Sequence, residues 1–119
     1  KNTMVASDFV GIVSAKNDPD KMKKTGWTTI KSDNVNAPVF TDFPMTLECR
    51  IVRKIDETED GYNIVAEIVN ILVDENYLAK DGKPDVEKMQ LITYDPVHHG
   101  YLIMGERVGN AFSDGKKLK

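Results

Sequence analysis

The amino-acid sequence predicts a mainly β fold with short helices at its margins, and three patterns carry that expectation. Residues 45–55 alternate, with Met45, Leu47, Cys49 and Ile51 on one side and Thr46, Glu48, Arg50 and Lys54 mainly on the other. That period of two is the mark of a strand with one apolar face. It predicts that the Met45–Leu47–Cys49–Ile51 row is buried and that Thr46 and Glu48 are exposed. Residues 62–73 are apolar on both faces and read as a long central strand, paired in a hairpin with 45–55 across the charged turn 57–61. Two shorter apolar runs, 91–94 and 101–105, read as a second strand pair joined by residues 95–100.

Each remaining element has a local reason. Val5, Phe9, Ile12 and Val13 recur at helical spacing, which predicts a helix over 4–13. Asp18 suits an N-cap, Pro19 a first helical position and Gly26 the position just past a helix end, so a second short helix is expected over 19–24. Residues 28–44 look irregular, because Pro38 and Pro44 hold their preceding residues extended, with one short strand expected at 38–40. Asp81-Gly82 reads as a turn, and Asp85 as the cap of a helical turn ending at Met89. From Asn110 onward the chain is polar and expected to be loose. Four strands are few for a closed barrel, and open edges invite pairing, so the pattern implies an incomplete sheet or an oligomer.

The chain has 119 residues, 40% hydrophobic and 29% charged, an ordinary globular balance for one domain over 1–119. Its formal net charge of -3 argues against a nucleic-acid partner, which would need clustered Lys and Arg. No apolar run approaches a membrane span, and no secretory signal opens the chain. The single cysteine, Cys49, excludes an internal disulfide and a cysteine-based zinc site, and fits a reducing cytoplasm.

Several segments, taken in order, carry a resemblance. Asp8-Phe9-Val10-Gly11-Ile12-Val13-Ser14, then Asp20-Lys21-Met22 and Thr25-Gly26, is similar to the helix–loop–helix of the flavin-reductase-like and flavoredoxin proteins. Phe43-Pro44-Met45-Thr46-Leu47-Glu48-Cys49 resembles that family's P-x-x-L-E-C strand. Val73-Asp74-Glu75 with Asp81-Gly82-Lys83 and Glu87-Lys88 resembles its central excursion, and Tyr101 to Gly109 its closing strand. The resemblance implies an FMN-binding split β-barrel, short of the N-terminal strands that complete its flavin site. It implies a cytoplasmic homodimer binding FMN, acting as an NAD(P)H-dependent flavin oxidoreductase. Two departures stand out: Ser14-Ala15-Lys16 replaces the family's Ser-Gly-Arg/Lys, and the stretch 61–64 lacks the family's His.

The same resemblance makes Lys21 the leading cofactor-binding residue, because a Lys at the flavin ring edge stabilises negative charge there. Read from its surroundings alone, Lys21 is one of three lysines on a solvated short helix. Ser14 and Lys16 are candidates for the phosphate or ribityl chain, against a helix-end capping role. Tyr94 and Tyr101 are candidates for ring contact, against ordinary packing. No catalytic acid–base constellation is visible. His98-His99 has no third ligand nearby in sequence and reads as a loop pair rather than a metal site. Trp27 reads as a packing anchor and Cys49 as a small buried hydrophobe. Two other readings stand beside the oxidoreductase: a non-catalytic barrel domain or fragment without a complete flavin site, and an unrelated β domain binding peptide along an open edge.

Overall fold

The computed structural model describes residues 1–58 and 61–119, so the middle of the expected charged turn, Glu59-Asp60, lies outside the described residues. Those residues form two compact units, Asn2–Pro84 and Asp85–Lys119, the second joined by Lys1.

The larger unit opens with α1 (Met4–Ile12) and α2 (Lys21–Lys24). α1 ends where Val13 turns extended. α2 starts two residues later than expected, with Asp20 rather than Asp18 at its N-cap. The Asp18 carboxylate instead binds Lys24 Nζ at 2.5 Å, so its side chain is not free to cap. Gly26 closes α2 at φ 71°, a left-handed conformation that glycine adopts without penalty. A strand the sequence did not predict, β1 (Thr29–Lys31), pairs antiparallel with the expected β2 (Pro38–Phe40). Three residues of mixed polarity give too short a period to read. Trp27 packs edge-on against Phe40 and Phe43, with centroids 5.5 and 4.9 Å away, as an anchor should. Each such pair contributes about 0.5–1.5 kcal/mol beyond area burial. Val39 is buried beside them in sequence.

β3 (Met45–Thr58) and β4 (Gly61–Val73) form the expected hairpin. Its register slips between Glu48 and Cys49, where Val69 is the extra residue on β4, and between Ile51 and Arg53, where Val52 is extra on β3. The first bulge sets the faces. Leu47 pairs with Ile71, Cys49 with Ile68 and Ile51 with Ala66, one apolar row. Thr46 pairs with Leu72, Glu48 with Asn70 and Arg50 with Glu67 on the other.

The expected burial of these rows is reversed. Leu47, Cys49 and Ile51 are exposed, Met45 is half-buried, and Glu48 is buried at 3% exposure. Alternation tells which residues share a face; it does not tell which face another element covers. Here the segment after β1 reaches Glu48 through Asn34, so the polar row is the covered one at that point. Beyond β4, a 3₁₀ turn (Glu75–Tyr77) is capped by the Asp74 carboxylate, and Leu78 bridges Pro84 around the predicted Asp81-Gly82 turn.

The smaller unit holds α3 (Val86–Met89), β5 (Ile92–Asp95) and β6 (Gly100–Ile103). Asp85 caps α3 as expected, accepting from the Lys88 N–H at 2.9 Å, and Met89 is buried. The helix ends on Gln90 in a left-handed conformation. β5 and β6 pair antiparallel with Tyr94 opposite Tyr101. The expected loose tail is instead a structured 3₁₀ turn (Asp114–Leu118). Arg107 ties down the approach to it by donating to Gly109 O and Asn110 Oδ1, while Asn110 N donates to Asp114 Oδ2. Three two-stranded sheets and no closed barrel are found among the described residues.

Candidate functional site

The expected cofactor-binding residues fall in both units, and each group is built locally. In the larger unit, Lys21 begins α2 and folds back onto the end of α1. Its Nζ donates to Val10 O at 2.8 Å and Val13 O at 2.6 Å. The last carbonyls of a helix lack intrahelical partners and carry partial negative charge, so an ammonium there is doubly favoured. Lys21 is therefore half-buried and engaged with backbone rather than solvated, with one of its three N–H bonds beyond these two. Ser14 follows directly. Its hydroxyl oxygen accepts from the Lys16 N–H at 3.2 Å, and its carbonyl accepts from Asn17 and Asp18. Ser14 and Lys16 are both exposed. Lys21, Ser14 and Lys16 thus share one corner at the carboxyl end of α1.

Beside that corner, Val5, Phe9, Lys24, Thr25 and Trp27 line a cleft of about 430 Å³. A second cleft, about 440 Å³, lies between the 34–37 segment and the ribbon, with Cys49, Arg50 and Val69 on its wall. Cys49 is exposed there, not buried as its place in the apolar row implied.

The polar centre of this unit was not anticipated. Asn34 Nδ2 and Asn70 Nδ2 both donate to Glu48 Oε2, at 2.8 and 2.6 Å. The Ser32 hydroxyl, then the Asn70 and Asn34 amides, hold the Glu48 carboxyl below its ordinary range, against the opposing effect of burial. Ser32 is itself buried, and its Oγ accepts from Asn34 N and Val35 N. Glu48 Oε1 has no hydrogen-bond partner among the described residues. The one signal in the sequence was Asn70, a polar residue interrupting the apolar run of β4.

In the smaller unit, the Tyr94 and Tyr101 rings sit 5.9 Å apart across the β5–β6 pair, both exposed. At the turn, Tyr94 Oη and His99 Nδ1 are hydrogen-bonded at 2.6 Å, and His98 Nδ1 meets Asp95 Oδ2 at 2.8 Å. His98, then the Val97 N–H, hold the Asp95 carboxyl below its ordinary range. His99 takes φ 52°, a left-handed conformation that His adopts more readily than most residues. The two imidazoles have separate partners, and among the described residues no group of three His, Cys, Asp or Glu side chains is placed to hold a metal. Among the described residues no helix is long and apolar enough to cross a membrane.

No family model matches the chain. An uncharacterised protein of Archaeoglobus fulgidus is 36% identical over 67 residues, 56% of this chain and 36% of its own length. Among solved structures, the flavoredoxin of Desulfovibrio vulgaris (Miyazaki F) superposes with a TM-score of 0.86 and 32% identity, over 97% of this chain and 60% of its own. A flavoredoxin from Methanosarcina acetivorans gives 0.86 and 26%, over 100% of this chain and 61% of its own. A flavin reductase-like split-barrel protein from Shewanella frigidimarina shares the fold at 0.71 and 16% identity, over 95% of this chain and 57% of its own. The chain thus spans about three-fifths of the length of the flavoredoxins it matches. The resemblance read from the sequence holds in the structure: this chain has the fold of the flavoredoxins and flavin-reductase-like split-barrel proteins.

Proposed function

We propose that this flavoredoxin-like chain is part of a flavin-dependent oxidoreductase, one that holds FMN at a homodimer interface in the cytoplasm and exchanges a hydride with NADH or NADPH. The observation carrying the reading is the 0.86 superposition on a flavoredoxin at 32% identity over 97% of the chain.

The residues present fit such a cofactor in part. At the α1 corner, the Ser14 hydroxyl, the exposed Lys16 and the remaining N–H of Lys21 form a donor set suited to an anionic or carbonyl oxygen. Anions are unfavourable at a helix carboxyl end, so the Lys21 ammonium on Val10 O and Val13 O is what makes that corner tolerable to a phosphate. Tyr94 and Tyr101 offer flat, exposed rings for stacking. When bound, FMN supplies the hydride chemistry. The protein's work is to bind and orient it, keep water from the ring and compensate charge at its edge. In the proposed dimer, the exposed Leu47–Ile51–Ile68–Ile71 face of the ribbon is covered.

The test is FMN titration into the intact gene product, followed by flavin fluorescence, then anaerobic NADH or NADPH with loss of the visible flavin absorbance. Stoichiometric binding and bleaching are expected. Absence of binding overturns the reading and favours the second one, a non-catalytic barrel domain without a complete flavin site. That alternative is supported by the engagement of Lys21 with backbone and by the lack of a His at 61–64. The same titration into the 119-residue chain alone is expected to show only weak binding.

A further inference from the structure

We propose that Tyr94 and His99 form a protonation-controlled hydrogen-bond switch on the β5–β6 hairpin, which turns Tyr94 from acceptor to donor toward a planar ring bearing an oxygen acceptor. The inference rests on the flavin reading for its ligand, but its geometry is independent of it. Tyr94 Oη lies 2.6 Å from His99 Nδ1, with the two ring centroids 6.3 Å apart. One proton occupies that short contact at a time. In the neutral imidazole with its hydrogen on Nε2, Nδ1 is an acceptor, and the tyrosine O–H must donate to it. The oxygen then presents only lone pairs outward. In the imidazolium, Nδ1–H is the donor, the tyrosine oxygen accepts, and its own hydrogen is released toward a ligand.

Histidine is the side chain whose ordinary charge change lies nearest to neutral pH, which makes it the natural residue for such a reversal. Tyr94 is 51% exposed and its ring stands beside that of Tyr101, so a ligand stacked on this ledge meets the hydroxyl directly. His99 meets Tyr94 of β5, Tyr101 stands on the far side of that ring, and the Asp95–His98 pair belongs to the same turn. His98 is engaged by Asp95 through its own Nδ1, so the two imidazoles have separate hydrogen-bond partners. The left-handed backbone at His99 admits Asn, which provides a variant without new strain. His99 acts here through Tyr94 and is a positioning residue.

Nuclear magnetic resonance on the full chain without ligand tests the switch. The Tyr94 ¹³Cζ shift is expected to move with the same midpoint as the His99 ring nitrogens, to lose that response in His99→Asn, and to keep it in His98→Gln. A Tyr94 signal indifferent to His99 titration overturns the proposal. FMN titration into the intact gene product tests the consequence. Binding about tenfold tighter below the His99 midpoint than above it, with the difference abolished in Tyr94→Phe, is the expected result. Binding that is independent of pH, or a pH dependence that survives Tyr94→Phe, overturns the donor role. No FMN binding at any pH counts against the flavin reading and against this choice of ligand, while the Tyr94 resonance still decides the switch.

Discussion

Glu48 and Asn70 face each other across the ribbon, with Asn70 Nδ2 donating to the buried carboxylate at 2.6 Å. Ser32, Asn70 and Asn34 all favour the charged form, so the folded pKa lies below the ordinary carboxylate value. A depressed carboxylate pKa contributes stability that is fully present above the unfolded value and is lost as pH falls through the folded one. The thermal stability of the wild type is therefore expected to fall progressively below about pH 4.5. Glu48→Gln is expected to be less stable at neutral pH, because a neutral amide oxygen accepts the two Asn hydrogen bonds more weakly than the carboxylate and its NH2 takes the buried Oε1 position. It should also show a shallower acid dependence. Equal acid slopes for both proteins would remove Glu48 from the account.

Lys21→Met removes two charged hydrogen bonds to the α1 carbonyls while keeping the aliphatic stem. The expected loss is about 1–3 kcal/mol, toward the lower end because the side chain is only half-buried. Urea denaturation measures it, and an unchanged midpoint would show that the α1 corner holds without the ammonium. In the intact protein, the same variant is expected to weaken FMN binding.

Gln90 ends α3 at φ 50° and ψ 55° with an exposed side chain. A glycine takes that conformation without steric cost, so Gln90→Gly is expected to stabilise by roughly 0.5–1 kcal/mol. Chemical denaturation with an unchanged slope checks it. A destabilisation would mean that the glutamine side chain makes interactions worth more than the backbone strain.

The exposed Leu47, Ile51, Ile68 and Ile71 row is expected to bury itself in a homodimer. Sedimentation at micromolar concentration should show a dimer or larger, and Ile68→Lys should shift it toward the 13.4 kDa monomer. A wild type that sediments only as a monomer would contradict the proposed assembly.

Much of this architecture was legible because its causes are local. The hairpin of β3 and β4, the Asp85 cap and the Gly26 helix end all follow from residues that lie within their own element. What escaped was non-local. Glu48 was expected at the surface because its strand alternates, yet its partner Asn34 comes from a segment that showed no pattern of its own. The sequence offers Lys21 as a ring contact or a solvated lysine. Neither reading foresaw carbonyls eleven and eight residues back, because the bend that returns it to α1 is set by the turn at 14–18. The sequence reads His98 and His99 alike as a loop pair, since only the folded turn sends the two rings to different partners.

The extra residue at Val69 acts on β4 much as a frame correction acts on a message. On its N-terminal side, counting by twos from Val73 would place Glu67 among the isoleucines and Ile68 on the polar face. The bulge skips one position, which returns Glu67 to Arg50, at 2.7 Å, and Ile68 to Cys49. Loss of Val69 alone would thus delete one modest side chain and leave a regular ladder, with Ile68 still opposite Cys49 and Glu67 still opposite Arg50. Deletion of Val69 is therefore expected to keep the two faces of the ribbon as they are and to cost chiefly the exposed valine side chain.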